Sequence, residues 1–157
     1  MMVLAANRAD SVDFPLLLHV LGAMLLVGTL LVVALTLLAA WRRADADEGT
    51  RLTRFGLKAL LIGVVPSYVL MRIGAQWTES EQNLPEEVEE STWLGIGYIT
   101  ADAGAILILI SIVLAAIGLR RLRNGSGSGL ARAVGVISVL LLAAYIVAVW
   151  AMTAKPD

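Results

Sequence analysis

The chain has 157 residues, 59% hydrophobic and 16% charged, with a formal net charge of −1 at pH 7. The apolar share exceeds the roughly 45–50% of a soluble domain, and the excess lies in four runs near 14–41, 57–77, 93–119 and 134–152. There is no cysteine and one histidine, His19, which excludes disulfides, thiolate metal sites, iron–sulfur clusters, cysteine nucleophiles and any two-histidine metal or haem site within a single chain.

Each run reaches the roughly 18–20 residues that a helix needs to cross a bilayer. Backbone groups inside lipid must pair within their own segment, so the runs are expected to be helical. The chain is predicted to be all-α: one transmembrane four-helix bundle with both termini outside. A cleaved signal peptide would begin with positive charge and carry an apolar core of about 7–15 residues. Here Arg8 precedes Asp10 and Asp13, and the positive flank, Trp41-Arg42-Arg43, follows a much longer run. That order predicts an uncleaved first helix.

The first run carries His19 about five residues below its outer end. The stretch His19-Val20-Leu21-Gly22-Ala23-Met24-Leu25-Leu26-Val27-Gly28 resembles the opening of predicted integral membrane proteins of the copper resistance D-like type: a histidine, then small residues, then a glycine. The resemblance covers helix 1, and the rest of the chain is similar only in helix count. It implies a multi-helix inner-membrane bundle with copper or haem as the expected ligand, and it carries over His19 alone as a haem-ligand candidate. The five methionines are scattered, and the further histidines of a copper relay are missing. No cofactor is therefore assigned from the sequence, with haem the one considered.

The next connector, 42–56, and the start of helix 2 hold Arg42, Arg43, Arg51, Arg54 and Lys58. Helix 2 contains Pro66, which removes a helix hydrogen bond and predicts a kink. A kink there opens a pocket or merely adjusts packing. Tyr68, Arg72 and Gln76 recur at every fourth residue and so share one face. The connector 78–92 has no Lys or Arg, but carries Glu79, Glu81, Glu86, Glu87, Glu89 and Glu90. It reads as a solvated link, in which Leu84-Pro85-Glu86-Glu87 has the composition of a helix start. Helix 3 holds Tyr98 and Asp102, four apart, and a stripe of small residues, Gly97, Ala101 and Ala105. Small residues let membrane helices approach closely, as do Gly63 and Ser67 on helix 2. The connector 120–133 bears Arg120, Arg121, Arg123 and Arg132 around a flexible Asn124–Gly129 turn.

Lys and Arg accumulate in short cytoplasmic loops, while acidic residues orient little. Connectors 42–56 and 120–133 are thus predicted to be cytoplasmic, with connector 78–92 and both termini outside a plasma (inner) membrane. The basic residues set topology, and no nucleic-acid partner is implied. Trp41, Trp77, Trp93 and Trp150 fall near the run ends, where tryptophan favours the headgroup level.

At about 1.5 Å of rise per residue, His19, Arg72 and Asp102 lie roughly 7–14 Å inside the outer boundary. Charged groups in a membrane usually turn inward and pair. Arg72 with Asp102 is the expected pair, and Tyr68, Tyr98 and Thr100 offer hydroxyl partners. The candidate pocket is His19, Tyr68, Arg72, Tyr98 and Asp102. The competing expectation is structural: Arg72 reaches the headgroups and Asp102 serves as packing glue.

No phosphate-binding loop, zinc helix motif or serine elbow is present, so no catalytic residue is assigned. Three functions follow. The first is a non-catalytic accessory or interaction subunit, working as a homo-oligomer or within a larger membrane complex. The second is a redox-linked protein holding haem or quinone in the outer-leaflet pocket. The third is a small ion or proton pathway through Asp102.

Overall fold

The computed structural model describes residues 10–43, 45–82, 92–125 and 129–154. Every regular element among them is helical. A short 3-10 turn, Asp10–Val12, leads into α1 (Asp13–Arg42). The chain extends at Arg43, and α2 (Ala46–Ala59) begins at once. Asp45 sets that start: its carboxylate accepts from the N–H groups of Asp47 at 2.8 Å and Glu48 at 3.4 Å. Such a cap satisfies donors that have no helical partner. A π-helical turn, Leu60–Val64, joins α2 to α3 (Val65–Gln82). Then come α4 (Thr92–Arg123) and α5 (Gly129–Ala154).

The π turn is the local answer to Pro66. Proline lacks an N–H, and its ring crowds the carbonyl four residues back. The N–H of Val65 bonds instead to the carbonyl of Leu60, one residue further than in an α-helix. The predicted kink site is thus a widened turn just ahead of the proline.

The helices overrun the apolar stretches that predicted them. Residues 46–56 are helical, not a loop, as are 78–82, 120–123 and 129–133. Hydropathy marks only the greasy part of a helix, whereas caps and backbone bonds carry it on into polar sequence. The predicted helix start at Leu84-Pro85 lies outside the described residues.

The α1 and α4 helices run from an acidic end, where Glu79 and Glu81 lie, to a basic end that holds Arg42, Arg43, Arg51, Arg54, Arg120, Arg121, Arg123 and Arg132. The continuous α2–α3 rod and α5 run back. Packed pairs fix this antiparallel register. Gly56 meets Leu37, Gly118 meets Leu57, Gly135 meets Trp41, and Gly104 meets Tyr145. The core lies between the rods, with Leu26, Leu30, Val33, Leu37, Leu57, Val64, Val134 and Leu141 all buried. Trp41 turns inward against Gly135 instead of outward to a headgroup level, because a glycine leaves room there for its ring. Trp77 stays partly exposed and meets Phe14 edge-on, with ring centroids 5.8 Å apart.

The outside of the bundle is as apolar as its core. Met24, Ile62, Ile99 and Leu109 are 69%, 74%, 71% and 62% exposed. Helices that are hydrophobic all round suit a lipid surround. Four stretches, Asp13–Arg42, Ala46–Glu81, Thr92–Arg123 and Gly129–Ala154, are long and apolar enough to cross a membrane. This is consistent with a multi-pass membrane protein.

The two ends of the bundle differ. At the basic end α2 packs on α4, and Arg54 Nη2 reaches the carbonyl of Leu122 at 3.5 Å. Towards the acidic end the α3 and α4 backbones scarcely meet. The rods splay there, and the candidate site occupies the opening.

Candidate functional site

The tightest helix crossing positions the site. A Cβ on Gly22 would overlap the backbone nitrogen of Met71, and a Cβ on Gly74 would overlap that of His19. The two glycines thus let the α1 and α3 backbones touch. Only hydrogen in place of a side chain permits that approach. The crossing brings the His19 ring onto α3, where Nδ1 lies 3.1 Å from the carbonyl oxygen of Met71. A carbonyl only accepts, so Nδ1 carries the donated proton. In the neutral ring, Nε2 is then the lone-pair nitrogen.

A cavity of about 830 Å³ opens beside this crossing. All four rods line it: α1 with His19 and Met24, α3 with Arg72 and Glu79, α4 with Trp93 and Tyr98, α5 with Tyr145 and Met152. Most of the wall is apolar, with few polar groups, which is the usual composition of a small-molecule site. On the side between α1 and α5 the lining residues Met24, Gly28 and Val149 are themselves exposed. The cavity therefore communicates with the apolar outside of the bundle.

The predicted polar set divides in two. His19, Arg72 and Tyr98 line the cavity. Tyr68 and Asp102 bridge the splayed seam between α3 and α4. Tyr68 donates to the carbonyl of Ala101 at 3.1 Å, and Arg72 Nη2 donates to Asp102 Oδ1 at 2.9 Å. The expected Arg72–Asp102 pair is present. The expected inward turn of Asp102 is not: its side chain is 67% exposed, against 29% for Arg72. The long arginine reaches out across the open seam, while the short aspartate stays on the outer flank of α4. Gln76, on the same stripe as Tyr68 and Arg72, is exposed.

Three site features escaped the sequence pattern. Gly22 and Gly74 set the crossing, but glycine in an apolar helix carries no signal of what lies opposite. Tyr145 was not among the predicted pocket residues. It is 4% exposed and rests against Gly104. Its hydroxyl is buried without a hydrogen-bond partner among the described residues, as are Trp41 Nε1 and Ser111 Oγ.

Among the described residues no three His, Cys, Asp or Glu side chains gather as a metal-binding group. His19 is the one imidazole on the cavity wall among the described residues, and it shares that wall with the thioethers of Met24, Met71 and Met152. No family model, curated protein or solved structure matches the chain. None of these comparisons carries the resemblance read from His19–Gly28.

Proposed function

We propose that this chain is a non-catalytic accessory protein of the plasma membrane that holds a quinone-class ligand in the cavity at its acidic end. Its four rods cross the bilayer, with the arginine-bearing connectors in the cytoplasm and the cavity in the outer leaflet. The apolar exterior and the concentration of Lys and Arg in connectors 42–56 and 120–133, against none in 78–92, support that placement.

The observation that carries the ligand is the cavity itself, about 830 Å³ and largely apolar, with Arg72, His19, Tyr98 and Glu79 among the polar residues on its wall. Arg72 offers N–H donors to a quinone carbonyl. His19 Nε2 offers a lone pair to a quinol hydroxyl. The opening beside Met24 and Val149 gives an isoprenoid tail a route into lipid.

The test is purification from membranes in a mild detergent, an absorbance spectrum, and chromatography of an organic extract. A quinone retained by the native protein and lost from His19→Phe is expected. An extract free of quinone from protein still folded and membrane-derived overturns the proposal. A Soret band would assign the cavity to haem, with His19 Nε2 as the axial ligand.

A second role is favoured by the exposure of Asp102. A charged side chain facing lipid costs about 2.5–3.5 kcal/mol on insertion scales. The α3–α4 seam is where a second copy or a larger membrane complex would cover it. Asp102→Leu should then shift the mass of the assembly in nanodiscs, and an unchanged monomer before and after substitution excludes that interface.

A further inference from the structure

The α2 helix is amphipathic, and one of its faces is not used by the bundle. Arg51, Phe55 and Lys58 follow each other at spacings of four and three residues and so share a face. All three are exposed, as is Ile62 in the π turn that follows. Neither Arg51 nor Lys58 has an ion-pair partner among the described residues.

This face borders a second recess, of about 420 Å³, between α1 and the α2–π segment. Its walls are Thr29 and Val32 on one side and Phe55, Ala59, Ile62 and Gly63 on the other. Among the described residues Lys58 is the one charged residue that lines it. The π turn contributes Ile62 and Gly63 to the recess. At its floor Gly63 lies close against Thr29, whose Cγ2 is 3.0 Å from where a Cβ would stand. Thr29 turns its hydroxyl back to the carbonyl of Leu25 at 2.7 Å and so presents its methyl group.

We infer that this recess is a binding site for one anionic phospholipid of the cytoplasmic leaflet. The acyl chain lies along Val32, Ile62 and Gly63, and the phosphate meets Lys58 and Arg51. From Phe55 to Gly63 the groove spans eight residues, about 12 Å of helix, enough for the upper part of one chain. The charge is complementary in the right place: cations at the basic end, apolar walls towards mid-bundle. A zwitterionic lipid would fill the groove equally well but would set its own cation against Lys58. The inference rests on the membrane placement proposed above and is independent of the quinone cavity.

The test is native mass spectrometry of the full chain released from nanodiscs that contain equal amounts of phosphatidylglycerol and phosphatidylcholine of matched chain length. The expected result is one retained phosphatidylglycerol, preferred about tenfold. Arg51→Gln with Lys58→Gln should abolish the preference, whereas Arg132→Gln, at the same end but away from the groove, should leave it intact. Equal retention of both lipids overturns the inference. So does equal loss in Arg132→Gln, which would mean diffuse surface charge. Displacement of the lipid by inorganic phosphate at constant ionic strength would reduce the site to an ion contact and also overturn it. Protein that never enters nanodiscs would instead refute the membrane placement.

Discussion

His19 Nδ1 donates to the carbonyl oxygen of Met71 at 3.1 Å, across the closest helix crossing in the bundle. That bond selects the tautomer. The proton belongs on Nδ1, and Nε2 is left as the acceptor. His19 is the only histidine in the chain, so its ¹⁵N signals are unambiguous. In the neutral ring they should show a protonated Nδ1 and a bare Nε2. A dominant Nε2–H form would mean that the bond to Met71 is not made.

The crossing itself should be intolerant of bulk. Gly74 and Gly22 each lie against the opposite backbone, which cannot give way as a side chain can. Gly74→Ala and Gly22→Ala should each destabilise by about 1–3 kcal/mol, the usual range for overpacking. Gly28 has nothing within 4 Å of its would-be Cβ, so Gly28→Ala should be neutral or slightly stabilising. Thermal unfolding in detergent orders the three, and equal melting points would remove the crossing from the account of stability.

Two tyrosines make opposite predictions. Tyr68 gives its hydroxyl proton to Ala101, whereas the Tyr145 hydroxyl is buried without a partner among the described residues. Tyr68→Phe should cost about 0.5–1.5 kcal/mol, and Tyr145→Phe should be neutral or stabilising. The same unfolding measurement decides. A loss for Tyr145→Phe as large as for Tyr68→Phe would show that its hydroxyl has a partner after all.

The Arg72–Asp102 pair should be worth little in isolation. With Asp102 67% exposed, the contact is screened wherever water reaches it. A double-mutant cycle of Arg72→Gln and Asp102→Asn in detergent should give a coupling of about 0.2–1 kcal/mol. A coupling several times larger would mean that the seam is covered, by lipid or by another subunit.

Orientation can be read directly, because the chain has no native cysteine. In intact cells a membrane-impermeant maleimide should label Glu81→Cys and spare Arg123→Cys until the cells are opened. The reverse pattern would invert the proposed topology and put the cavity beside His19 in the inner leaflet.

Much of the site was legible as a level along the axis. His19, Arg72 and Tyr98 all fall near the acidic end, and all three line one cavity. Level follows from residue number, since each residue adds a fixed rise. The side towards which each residue turns was far less legible. Arg72 was expected to meet Asp102 and does. Yet Asp102 lies on the outer flank, and Trp41 faces in where an outward anchor was expected.

The amino-acid sequence alone determined four apolar spans, the sorting of charge to the two ends, and the polar residues that share a level. These are one-dimensional properties, set by composition and helical rise. Tertiary structure decided rotation and spacing. Hydrogen-for-side-chain contacts at Gly22 and Gly74 drew α1 onto α3 and turned His19 to Met71. The π turn before Pro66 inserts one extra residue, which re-aims everything after it by about 100°. The splay between α3 and α4 then made a cavity where a close-packed bundle would have had a core. Such features depend on which atoms of distant segments touch, and no local pattern along a single greasy helix records that.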